Sequence, residues 1–200
     1  MTNLGFPRRP ILTLTLALLT LSLTSPAVAQ DAVLELDPAQ TQVNFTLGAV
    51  LHTVHGTFKL KRGTVRFDPS GHASGLVVVD ATSGNSDSNG RDHKMHKDVL
   101  ESAQYSEVTF TPQQVQGQVL PQGDFKVQVL GIFTLHGTSH PLTLVIQAHL
   151  AGDRLTADTQ FPVPYQSWGL KNPSTLFLRV DNTVNISIHA AGQLKLVSAH

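Results

Sequence analysis

Phe125-Lys126-Val127-Gln128-Val129 alternates apolar and polar residues without a break. Successive side chains of an extended chain point to opposite faces, so this stretch has one buried face and one wet face. The same alternation recurs outward in both directions. Val43, Phe45 and Leu47 are separated by Asn44 and Thr46, and Phe58 and Leu60 alternate with Lys59 and Lys61. Val65 and Phe67 flank Arg66, and Val108 and Phe110 flank Thr109. Leu176, Leu178 and Val180 share a parity, as do Val184, Ile186 and Ile188. One-sided strands of this kind belong to antiparallel sheets. Turn residues punctuate them at Arg62-Gly63, Pro121-Gln122-Gly123-Asp124, Ala151-Gly152-Asp153 and Asp181-Asn182. The spacing predicts about ten short strands, with no sustained helical period, and hence an all-β sandwich or barrel.

Two segments depart from alternation. Asp80 to Leu100 passes through a polar run, Gly84 to Gly90, expected to form a loop. Asp92 then stands as a candidate cap for a short helix that carries Met95 and Val99 four residues apart on one face. Phe161 to Ser174 holds the only tryptophan, Trp168, and three prolines, so it is not an interior strand throughout. A long aromatic connection in a small β domain is expected to act as a functional loop, or as a plug with Trp168 closing one end of the barrel.

The chain has 200 residues, 14 basic and 14 acidic, and no cysteine. Arg8 and Arg9 precede an apolar run from Ile11 to Leu23, and Ala27-Val28-Ala29 has the small-x-small pattern of a signal-peptidase site. Residues 1–29 are therefore read as a cleaved signal peptide and residues 30–200 as one domain. Removing the two arginines leaves 12 basic and 14 acidic residues, a net charge of −2. That balance carries no electrostatic footprint for nucleic acid or an anionic membrane, and points to an uncharged, apolar or locally recognised partner. No second hydrophobic stretch of spanning length follows, so no stable membrane insertion is expected after cleavage. The missing cysteines exclude disulfides, thiol catalysis and a lipid anchor on an N-terminal cysteine.

Chemistry-bearing motifs are thin. His52 and His55 are three apart, as are His93 and His96, but the first pair borders a strand in which such residues face opposite ways. No His-Glu-x-x-His sequence, nucleophile elbow or phosphate loop occurs. His136 and His140 bracket a turn at Gly137-Thr138-Ser139. The reading is a non-enzymatic protein without cofactor or metal.

Four short sequences in order carry a family resemblance. They are Leu36-Asp37-Pro38-Ala39 with Val43-Asn44-Phe45, His55-Gly56-Thr57-Phe58 with Gly63, Val65 and Phe67-Asp68, Arg91-Asp92-His93-Lys94-Met95-His96 with Val99-Leu100-Glu101 and Tyr105 to Phe110, and Gly131 to Thr138 followed by Pro141. From about Val33 to Gly192 the chain resembles the YceI family, exported bacterial proteins with a lipocalin-like fold that bind polyisoprenoids.

The resemblance implies an antiparallel barrel of about eight strands, with a short helix and a long loop near its mouth, able to hold one ligand. It also implies a periplasmic carrier for a polyisoprenoid or an isoprenoid quinone, with a homodimer left open. Phe45, Phe58, Phe110, Phe133 and Phe177 are the candidate lining, each equally suited to ordinary core packing. Met95 and Val99 offer an adaptable wall. Trp168 is placed to stack on a ring or close the mouth, and His96, Tyr165 and Arg179 to meet a head group. Where many family members carry an Arg-x-Asp-Phe-Gly-like segment, this chain has Pro164-Tyr165-Gln166-Ser167-Trp168-Gly169-Leu170-Lys171, which places Leu170 beside the mouth. Two alternatives stand beside the carrier: a ligand-free β-sandwich interaction module, and a metal hydrolase built on His52, His55, His93 and His96.

Overall fold

A computed structural model describes residues 30–50, 52–174 and 179–198. Its strands are β1 (Gln30–Leu36), β2 (Gln42–Gly48), β3 (Thr53–Phe67), β4 (Ala73–Asn85), β5 (Glu107–Gln116), β6 (Gly123–Leu135), β7 (Thr138–Ala151), β8 (Arg154–Val163) and β9 (Val184–Ser198). A helix α1 (Asn89–Lys94) runs straight into a π-helical turn, Met95–Val99. In β6 the sequence pattern is realised directly: Lys126 and Gln128 are exposed while Val127 and Val129 are 6% and 7% exposed.

Neighbouring strands are antiparallel throughout, and the sheet closes on itself through β3–β4. β1 and β2 lie end to end in one position of the wall. β1 pairs with the C-terminal halves of β3 and β9, and β2 with their N-terminal halves. Between the partner positions of Leu36 and Gln42, β9 advances only from Gly192 to His189, so residues 37–41 bulge out of the wall. Nine strands thus make an eight-position closed barrel. Closure removes the free edges that a sandwich would leave.

The two ends of the barrel differ. One is closed by short connections and filled by side chains, with Val127, Val129, Leu144, Leu150 and Leu155 all buried. The other carries the described parts of the long connections, residues 86–106, 164–174 and 179–183, together with the β2–β3 connection and the turn at 136–137.

Several local expectations change. Arg62-Gly63 is not a turn; β3 runs through it, with a bulge between Leu60 and Arg62. Glycine is needed there for close approach, because a Cβ at Gly63 would lie 2.6 Å from Leu36 Cδ1. The expected loop begins later, since Asp80–Asn85 belong to β4. Asp92 does not cap the helix but lies inside it, accepting from Ser86 N–H at 2.9 Å and Ser86 Oγ at 2.6 Å. Leu176 and Leu178 lie outside the described residues, and Val180 forms only an isolated bridge to Ala49.

Candidate functional site

Alternation leaves the lumen apolar from every side, and toward the end with long connections the side chains do not fill it. A cavity of about 400 Å³ remains there, inside the ~300–1,000 Å³ range of small-molecule sites. β2 contributes Val43, Phe45 and Leu47 to its wall, and β9 contributes Val184, Ile186 and Ile188. Opposed pairs such as Val43↔Ile188 and Phe45↔Ile186 place both sets on the same inner face. β6 adds Phe133 and Leu135, and β8 adds Phe161 and Val163.

The helical segment forms the roof, with Met95, Val99 and Leu100 facing the cavity. Leu100 N–H donates to Met95 O at 2.8 Å, the wide i→i+5 bond of a π turn. Gly84 makes room for this roof. A Cβ there would stand 2.6 Å from the Phe58 ring and 2.7 Å from Met95 Cε. Phe45 and Phe58 face each other beneath it, 5.4 Å between ring centroids.

Polar groups reach the cavity at its mouth, from His52, Ser86, Arg91 and Lys94. Arg91 Nε donates to Ser86 Oγ at 3.1 Å and its Nη2 to Ser86 O at 2.9 Å. Lys94 Nζ donates to Pro173 O at 2.7 Å, joining the helix to the long loop.

Seven of the sequence-predicted residues border the cavity together: Phe45, Phe58, Met95, Val99, Phe133, Tyr165 and Leu170. Tyr165 does so with its ring only, because its hydroxyl donates to Asp181 O at 2.6 Å. Burial, and then the nearby Asp181 charge, push this phenol from 10.0 up to about 12, so it stays neutral. Its expected head-group role therefore gives way to pinning the long loop.

Four others stand off the wall. Phe110 is buried opposite Phe133 without bordering the cavity, its ring over Gly131, where a Cβ would come within 2.7 Å of it. Trp168 does not border the cavity: it stacks on the inward-facing His140 and reaches Phe133 at 5.8 Å, so it packs on the inner side of β6 and β7 beside the cavity. His96 holds the roof: its Nε2 meets Gly84 O at 2.9 Å and its Nδ1 meets Ser102 Oγ at 3.1 Å. A carbonyl only accepts, so Nε2 carries a proton and donates to Gly84 O. Arg179 is exposed on the loop beside Val50, whose N–H its carbonyl accepts. Phe177 lies outside the described residues.

The histidines scatter likewise. His55 meets Thr46 Oγ1 at 3.3 Å and His93 is exposed. Among the described residues no three His, Cys, Asp or Glu side chains gather as a metal-binding group. His136 and Gly137 form the β6–β7 turn, while His140 faces inward opposite Phe133 instead of decorating that turn. The wall from Phe161, Val163 and β9 was not singled out in the sequence, although its parity is plain there. The mouth cations carried no such signal, because their aim is set by bonds to Ser86 and Pro173.

A sequence model of the YceI-like domain matches residues 34–191. A UPF0312 protein of Vibrio parahaemolyticus is 32% identical over 138 residues, 67% of this chain and 70% of that protein. Protein YceI of Escherichia coli O157:H7 is 32% identical over 149 residues, 72% of this chain and 74% of its own length. Among solved structures, Burkholderia cenocepacia BcnA superposes with TM-score 0.63 at 19% identity, covering 78% of this chain and 98% of BcnA. A polyisoprenoid binding domain from Saccharophagus degradans, implicated in plant cell wall breakdown, gives 0.60 at 17%, covering 81% and 98%. The closed barrel is thus shared with these structures, and the domain match over most of the chain makes the protein a member of the YceI family.

Proposed function

We propose that this protein is an exported carrier that holds one long apolar lipid, a polyisoprenoid or an isoprenoid quinone, in the barrel lumen. The observation that carries the reading is the unfilled cavity of about 400 Å³, walled by aliphatic and aromatic side chains and roofed by the π-helical segment. An isoprenoid tail needs no directional partner. Its burial contributes on the order of 25 cal/mol per Å² of apolar surface, less the cost of ordering the chain. Nothing along the inner wall has to be polar for such a ligand to bind, and the polar groups stand at the mouth, where a head group would lie.

The polyisoprenoid binding described for the Saccharophagus degradans domain supports the choice of lipid class. The basic and apolar pattern of residues 1–29 supports export to the periplasm, and among the described residues no helix is long and apolar enough to cross a membrane. The protein binds, on this reading, and catalyses nothing.

The test is to express the full-length chain with its own leader in a quinone-containing bacterium, purify it without detergent and extract it for lipid mass spectrometry. Near-stoichiometric isoprenoid supports the carrier. A protein that is empty, and stays empty after incubation with isoprenoid quinones and polyprenols, contradicts it and favours a ligand-free interaction module.

A further inference from the structure

Building on the carrier reading, we propose that Arg91 and Lys94 form a seat for an anionic head group. The preferred ligand is then a long apolar chain ending in a carboxylate or a phosphate ester, over a neutral lipid with the same chain.

The sign of charge at the cavity is one-sided. The permanently charged side chains on its wall are Arg91 and Lys94, and no aspartate or glutamate lines it. Tyr165, the acidic group on the wall, is held neutral by burial. Among the described residues neither cation has a carboxylate oxygen within 4.0 Å; the carboxylates that pair do so elsewhere, as in Lys61–Glu107 and Lys171–Glu101. The hydrogen bonds of both cations go to neutral acceptors, Ser86 Oγ, Ser86 O and Pro173 O. Each keeps further N–H donors for another partner.

The acid next in sequence does not supply that partner. Asp92 turns to Ser86, taking both its amide and its hydroxyl proton through Oδ1. Ser86 is 5% exposed and accepts from Arg91 through the same hydroxyl oxygen that donates to Asp92. The guanidinium is thereby aimed while its outer edge stays open. Arg91 and Lys94 are three residues apart on α1, and so lie on one side of it. Lys94 is fixed from the opposite rim by the long loop.

Two like charges held side by side at the rim of an apolar cavity repel each other, and an anion between them reverses the sign of that interaction. Charge-assisted bonds from guanidinium and ammonium groups are the strong ones for carboxylate and phosphate oxygens. A tail in the lumen would bring its head to this rim, so apolar burial and charge pairing would act on one molecule.

The test holds the tail constant and changes the head. Affinities of the protein for geranylgeraniol, geranylgeranyl phosphate, hexadecanol and palmitate are measured at pH 7.5 in low salt, where both anions are ionised. At least one anion should bind about 10- to 100-fold tighter than the alcohol with its own tail. Whichever anion gains names the head, carboxylate or phosphate. The ratio should shrink toward one in high salt, a measurement that needs no variant. It should also collapse in an Arg91→Gln/Lys94→Gln protein shown by circular dichroism to be folded. Equal affinity for alcohol and anion overturns the seat and leaves the carrier standing. So does an advantage that survives both salt and substitution. Failure of all four to bind removes the carrier reading and the seat with it.

Discussion

The indole of Trp168 lies flat on the imidazole of His140, 3.9 Å between centroids and 6° from parallel. The same indole sits 5.8 Å from Phe133, whose ring borders the cavity. The residue that the sequence suggests as a plug belongs to this layer of rings on the inner face of β6 and β7, one ring away from the cavity.

Trp168 is the only tryptophan, so its fluorescence reports this layer alone. Filling the lumen presses on Phe133 and should shift the emission of Trp168 saturably, with a midpoint equal to the affinity measured by calorimetry. Phe133→Leu should weaken the fluorescence response more than the binding itself. An emission spectrum indifferent to bound ligand would disconnect the loop from the cavity.

Ile186 projects into the unfilled space from β9, opposite Phe45. Overpacking a full core costs about 1–3 kcal/mol, whereas here the added volume has somewhere to go. Ile186→Trp should therefore lower bound lipid several-fold while changing thermal stability little. Lipid extraction beside a calorimetric melt checks both halves. A large loss of stability with lipid retained would mean that the lumen is filled by packing at that level.

His96 ties the roof to β4 and to Ser102. Removing it leaves Gly84 O and Ser102 Oγ short of a partner, a cost of about 1–3 kcal/mol for a buried group. His96→Leu should lose stability in that range. It should also raise hydrogen exchange across residues 89–99 more than in β6 or β7, as checked by mass spectrometry.

How far the sequence led can be judged residue by residue. The alternation of Phe125 to Val129, and of Val43 to Leu47, specified the antiparallel strands, since a period of two has one structural meaning. Arg62-Gly63 misled because a glycine serves a turn and a close approach equally well. The barrel's wall break at residues 37–41 was invisible because it depends on which halves of β3 and β9 are left unpaired. Parity also marked Phe45, Phe58 and Phe133 as inward, yet could not separate them from Phe110. Whether an inward ring meets space or Gly131 is set by a neighbour on another strand. Arg91 and Lys94 were part of the family-like motif without being picked as site residues. Their direction depends on Ser86 and Pro173.

Tyr165 gives a pH signature. Its folded value, about 12, lies above its ordinary value of 10.0 because the ionised phenolate would be buried. A raised value favours the protonated folded state, so its contribution is complete below about pH 10 and is lost as pH climbs through about 12. Stability measured by denaturant midpoint should fall across that window and fall less steeply in Tyr165→Phe. Equal slopes in both proteins would remove the phenol as the cause.

The central claim is that lipid occupies the lumen and not the outer surface. A photoactivatable diazirine analogue of geranylgeranyl lipid, bound to the protein and irradiated, maps the contact by mass spectrometry of the labelled peptides. The account predicts adducts within residues 43–47, 89–100 and 184–188, competed away by unlabelled lipid. Labelling confined to exposed strand faces such as Val145 or Leu196, or labelling that competitor leaves unchanged, would contradict it.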